Sequence, residues 1–147
     1  DLGDQLEGEA RDLGAEHAAL ALQCKAGTGP AKAPCVILSG GETTVTMTGN
    51  GRGGRNTEYL LGIALALNGA AGIHAVACDT DGVDGSEDNA GAFIGPDTLI
   101  AAENSGLSVV DALATNDAYT LFENIGELLV TGPTFTNVND FRAIVVL

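Results

Sequence analysis

The chain of 147 residues predicts an α/β fold, a mixed β-sheet flanked by helices, and three observations carry that expectation. Short continuous apolar runs, CVILSGG at 35–41 and IHAVAC at 73–78, read as strands buried on both faces. Longer segments with apolar residues at helical spacing lie between such runs. An alternating stretch, ETTVTMTG, follows the first run across Gly40 and Gly41, and the two read as an N-terminal hairpin that makes the sheet mixed.

In chain order, residues 4–24 place Leu6, Ala10, Leu13, Ala18, Leu20 and Leu22 near helical spacing, so one helix is expected, with a weak point at Gly14. AGTGPAKAP is a Gly/Pro connection to the hairpin. After the loop TGNGRGGRN, the segment NTEYLLGIALALNG has Asn56 or Thr57 as its N-cap, Glu58 in its first turn and Gly69 at its end, which predicts a helix. The strand at 73–78 runs into the acidic segment CDTDGVDGSEDNAG. PDTLIAAENSG is bracketed by Pro96 and Gly106 as a helix, and SVVDALATND and AYTLFENIG read as two more short ones. ELLVTGPTFTNVNDFRAIVVL closes the chain as strand, loop and strand. Strand ends therefore run into three polar, glycine-bearing loops, the position where open α/β sheets bind ligands.

Composition excludes some partners. Twenty acidic residues against six basic ones give a formal net charge of -14, which repels nucleic acid and anionic membrane. No apolar run approaches the length of a bilayer span. Cys24, Cys35 and Cys78 are widely spaced without a CxxC pair, so a reduced, cytoplasmic protein with small core thiols is expected. Hydrophobic residues at 45% against 18% charged fit a folded globular chain.

Two loops invite a chemical reading. In TGNGRGGRN, Gly51, Gly53 and Gly54 could turn backbone N–H groups toward one anion at a helix N-terminus, with Arg52 and Arg55 adding charged donors and Asn56 beside them. The competing reading is a flexible connection with solvated arginines. In CDTDGVDGSEDNAG, Asp79, Asp81, Asp84, Glu87 and Asp88 crowd together; a divalent cation relieves such crowding, and a solvated acidic turn is the competing reading. Position twelve from Asp79 is Ala90, which argues against an EF-hand. The closing loop offers uncharged donors and acceptors, Thr131 and Asn137 among them, suited to a hydroxyl-bearing ligand or to an ordinary turn. Glu42 ends an apolar strand either as an ion-pair partner of the arginine loop or as a turn residue. His17 and His74 have no metal-ligand spacing and receive no role.

Taken in order, LGDQLEGEARDLG, LSGGETTVTMTGNGRGGRNTEYLLG, CDTDGVDGSEDNAGAFIGPDTL, NDAY and TGPTFTNVNDFRAI resemble the C-terminal region of class II glycerate kinases, the module called MOFRL. Proteins of this family are also labelled hydroxypyruvate reductases. The resemblance implies transfer of phosphate from ATP, with Mg2+, to D-glycerate to give 2-phosphoglycerate. It also implies a larger N-terminal domain with its own catalytic lysine, or a partner chain, completing an active site between two domains. On that reading residues 1–30 are a helix and linker carried over from the larger domain, and 31–147 form the MOFRL-like α/β domain. Arg55 becomes the candidate for neutralising the transferring phosphoryl group, Asp81 for metal binding or for orienting the glycerate hydroxyl, and its neighbour Asp79 the second metal-binding candidate. Arg52, Asn56 and Glu42 form the supporting shell. A stand-alone anion-binding module and a hydroxypyruvate reductase are the alternative readings, and self-association through apolar surface is a further expectation.

Overall fold

The computed structural model describes residues 1–147. Helix α1 (Ala10–Ala26) precedes strand β1 (Cys35–Gly41), helix α2 (Arg55–Leu67) and strand β2 (Ile73–Asp79). Strand β3 (Gly91–Ile94), three short helices, α3 (Thr98–Asn104), α4 (Val109–Thr115) and α5 (Ala118–Ile125), and strands β4 (Leu128–Leu129) and β5 (Asp140–Val146) complete the order. The strands form one sheet in the order β1-β5-β2-β3-β4, and every pair of named strands is antiparallel.

The α/β class and the sheet with flanking helices are as the sequence predicts, but the hairpin does not form. Residues 2–9 run along the outer edge of β1 instead, with Leu2 N–H donating to Leu38, Gly40 to Gly3, Glu42 to Leu6 and Thr44 to Gly8. Isolated parallel bridges, Leu6 to Gly41 and Glu9 to Thr44, are the parallel component of the sheet. With β5 on one edge of β1 and residues 2–9 on the other, the ETTVTMTG stretch finds no open edge to return to. The same contacts delay α1, which starts at Ala10 rather than near residue 4.

Gly14 is a contact point, where a side chain would strike the backbone carbonyl of Tyr59. Gly62 does the same in reverse, facing the Arg11 carbonyl, so the two helices cross backbone to backbone. Together they cover one face of the sheet, where Ile37, Ile73, Ala75, Ala77, Ile144 and Val146 point into the core. Helices α3, α4 and α5 pack around α2, and α5 also meets β4 at the margin of the sheet. The other face of the sheet is bare. Strands β1 and β2 are thus buried on one face, and the alternate residues that made them look two-sided point to the other, as Val36 and Leu38 of β1 and His74 of β2 do; β3 and β5 likewise expose Phe93 and Phe141.

Candidate active site

The start of α2 fixes the first half of the site. Asn56 N–H donates to Asp84 Oδ1 at 3.0 Å and Thr57 N–H to Asp84 Oδ2 at 2.9 Å. The carboxylate of Asp84, 1% exposed, therefore occupies the positive end of the helix dipole. Burial pushes its pKa up, while the Asn56 and Thr57 amides pull it back. This acid turn is why Gly54 is glycine: a Cβ there would overlap Asp84. Gly51 likewise sits hard against Asp117. Gly51 and Gly54 are thus accounted for by close packing within the chain, and the anion at the helix start is the chain's own.

The second half is built where three strands end. Asp140, the first residue of β5, lies opposite Gly41 of β1 and opposite Asp79, the last residue of β2. Two carboxylates facing each other across a ladder repel. Arg55, the first residue of α2, lies between them: Nε is 3.0 Å from Asp140 Oδ1, and Nη2 is 2.7 Å from Asp79 Oδ2. Nη1 reaches Glu42 Oε1 at 3.3 Å, so Glu42 is an ion-pair partner of the arginine loop. Beneath them, the buried Arg142 donates from Nη2 to Asp140 Oδ2 at 2.6 Å, from Nη1 to the Gly40 carbonyl at 2.9 Å, and lies 5.2 Å from the Tyr59 ring. Asn56 Nδ2 completes the set at 2.8 Å from Asp140 Oδ1.

The electrostatics follow from sharing. Arg55 retains its proton strongly: burial opposes its charge, and Asp140, Asp79 and Glu42 together outweigh it. Asp79 moves the other way. Burial lifts its carboxyl above the usual range, the Asp81 and Asp140 charges add to this, and the Asp81 N–H and Arg55 offset only part. A 2.7 Å ion pair alone would depress that pKa, but one guanidinium divided among three carboxylates does not compensate all of them.

The remaining expected residues divide. Arg52 does not join the cluster: its guanidinium lies over the Tyr119 ring at 4.7 Å and bonds to Thr120 and Glu123 on α5. Asp81 borders the cluster, with its N–H on Asp79 Oδ1 at 3.1 Å and its own Oδ1 accepting from Val83 N–H at 2.8 Å. Thr131 and Asn137 make turn contacts inside their own loop, to Gly132 and Asn139. That loop is laced to the acidic turn: Thr80 N–H donates to the Asn139 carbonyl, Val138 N–H to Thr80 Oγ1 and Thr134 N–H to the Asp81 carbonyl. The three loops do meet at one rim.

A cavity of about 340 Å³ opens beside Arg55, walled by Gly51, Gly53, Gly54, Thr43, Glu58 and Asn116. No group of three or more His, Cys, Asp or Glu side chains converges as a cation cage. Both oxygens of Asp79 are engaged, by Arg55 and the Asp81 N–H, so of the two expected metal ligands Asp81 has the freer carboxylate. Sequence reasoning missed Arg142 and the hub role of Asp140. The available signal was opposite charges two apart, Asp140 and Arg142, at the inward positions of an otherwise apolar strand.

Fold and site together define a two-layer α/β module with an arginine–carboxylate cluster where its strand ends converge. The chain belongs to the MOFRL family, whose model matches residues 35–140. It is 55% identical over 147 residues to a protein of Agrobacterium vitis named "Putative hydroxypyruvate reductase", covering 99% of this chain and 34% of that one. It is 41% identical over 135 residues to the D-glycerate 2-kinase of Thermotoga maritima, covering 92% of this chain and 32% of the relative. The crystal structure of glycerate kinase from Thermotoga maritima superposes with a TM-score of 0.95 at 38% identity, covering 99% of this chain and 35% of that one. The chain thus spans about a third of the length of the relatives it matches. No helix is long and apolar enough to cross a membrane.

Proposed function

We propose that this chain is the C-terminal part of an ATP-dependent glycerate 2-kinase, converting D-glycerate to 2-phosphoglycerate, and that it supplies one wall of an active site completed by a larger N-terminal domain or a partner chain. The observation that carries the reading is the Arg55–Asp79–Asp140 cluster at the converging strand ends. Phosphoryl transfer is driven mainly by positioning and charge stabilisation. Arg55, held from two sides by carboxylates, faces the transferring phosphoryl group with its guanidinium already aimed. Asp79, whose pKa is raised, takes the proton of the attacking glycerate hydroxyl. Asp81 is the carboxylate that would hold magnesium, which when bound would neutralise phosphate charge; one carboxylate plus substrate phosphates suffices for this ion. Gly51, Gly53 and Gly54 shape the substrate side of the cavity, Asn56 supports Asp140 from behind it, and Glu42 steadies Arg55. Arg52, Thr131 and Asn137 fall outside this inner set. The same reading places the protein in the cytoplasm, consistent with three free cysteines.

The test is a coupled ADP-release assay on the full polypeptide containing this chain. ATP turnover is expected only with glycerate, and Arg55→Gln is expected to lower kcat by roughly 10³-fold. Undiminished kcat in that variant would remove Arg55 from the chemistry. Oxidation of NAD(P)H with hydroxypyruvate is the control for the reductase name borne by the Agrobacterium relatives, and turnover there without ATP consumption would displace the kinase reading.

A further inference from the structure

Arg142 stands where packing alone would place an apolar residue. It is fully buried on the inward side of β5, in alternation with Ile144 and Val146, which point into the core. A buried guanidinium costs stability unless its donors are paired, and its Nε makes no hydrogen bond. The charge is explained by what it holds.

What it holds is one oxygen of Asp140. Arg142 Nη2 donates to Asp140 Oδ2 at 2.6 Å, while Asn56 Nδ2 donates to Oδ1 at 2.8 Å. Arg142 is itself tied to β1 through the Gly40 carbonyl, 2.9 Å from Nη1. Arg55 therefore meets a carboxylate whose two oxygens are already engaged. Its Nε lies 3.0 Å from each of them, and its Nη2 passes to Asp79 Oδ2 at 2.7 Å. Without Arg142, the Nε and Nη2 donors of that guanidinium edge would take both oxygens of Asp140 together, the bidentate pairing that arginine and carboxylate favour. Such a pair would draw Nη2 off Asp79 and swing Nη1 away from its present direction.

We propose that Arg142 is a positioning residue for phosphoryl transfer: by occupying Asp140 Oδ2 it blocks the bidentate Arg55–Asp140 pair, stretches Arg55 across Asp79 and Asp140, and sets where the outer guanidinium edge points. Every group in this device belongs to the chain itself. The role in transfer rests on the kinase reading; the placement of Arg55 does not.

The test uses the full polypeptide containing this chain. Arg142→Met should lower kcat in the coupled ADP-release assay by about 10–100-fold, with KM for glycerate and ATP moving less than about threefold, as for a catalytic group misplaced by about 1 Å. In the Arg55→Gln background the same substitution should cost nothing further, because a residue that acts through Arg55 then has nothing to position, whereas a general loss of structure would multiply. A crystal structure of the Arg142→Met polypeptide should show Nε and Nη2 of Arg55 both on Asp140. Should that variant fail to fold, Arg142→Lys decides by the same measurements. Its ammonium keeps a charged donor for Asp140 Oδ2, so Arg55 should stay between the two carboxylates, kcat should stay within about tenfold of the parent, and the loss should again vanish beside Arg55→Gln. Losses that multiply in either double variant, an unmoved Arg55 in folded Arg142→Met, or a displaced Arg55 in folded Arg142→Lys would each overturn the proposal. Turnover undiminished by Arg55→Gln alone would instead sink the kinase reading and the transfer role with it, while the crystal structure still decides the placement.

Discussion

Asp140 touches Arg55, Asn56 and Arg142 at once, and its side chain is fully buried. A carboxylate committed to two arginines and an amide cannot be replaced by an isostere lacking its charge without stranding the buried Arg142. Behind it, His17 Nδ1 lies 2.8 Å from the Tyr59 hydroxyl, and Arg142 lies over that tyrosine ring. Burial first, and the Arg142 charge second, lower the His17 pKa from 6.5 to about 4. The folded state thus binds fewer protons there than the unfolded chain. The stability His17 contributes is complete above pH 6.5 and is lost as pH falls toward 4. Urea unfolding at pH 7 and pH 4.5 should therefore show His17→Gln gaining about 2–3 kcal/mol on the parent at the lower pH, relative to their difference at neutrality. An equal difference at both pH values would place no proton-linked cost at His17. Arg55, Asp79 and Glu42 were legible in the sequence because charge interrupts glycine loops and strand ends. The partner of the α2 amides was not, because nothing local distinguishes Asp84 from the four other acids of its loop; only tertiary packing selects it.

At the level of elements, α2 depends on a cap from a distant loop and on a close crossing with α1. Asp84→Asn keeps the shape and removes the charge from the helix start, and should cost about 1–2 kcal/mol in thermal or urea unfolding. Gly14→Ala forces the new methyl group into the Tyr59 carbonyl and should cost about 1–3 kcal/mol, although alanine is the better helix former; a neutral result would mean that the helices slide apart freely. Most helices were readable because their stops are chemical: Gly27, Asn68, Asn116 and Gly126 all adopt the left-handed conformation just past a helix end. The missing hairpin was not readable. ETTVTM has strand propensity, but pairing needs a free edge, and residues 2–9 had taken it. Strand β3 escaped for a related reason, since four residues behind a glycine-rich acidic loop carry too little alternation to stand out.

For the molecule as a whole, 20 acids against 6 bases make self-repulsion the dominant long-range term. Moderate NaCl should raise Tm, and MgCl2 at equal ionic strength should raise it further if Asp81 holds the ion. Asp81→Asn should erase only that extra increment, and an unchanged magnesium response would take Asp81 out of the metal assignment. Sheet proteins with this much uncovered apolar surface are exposed to runaway stacking through unpaired backbone groups. Here the flank of β1 is sealed by residues 2–9, and the opposite margin, β4, is only two residues long. Strand-by-strand growth into a filament would have to start from the irregular run of residues 2–9 or from a two-residue strand, neither of which is the long, flat edge such stacking needs.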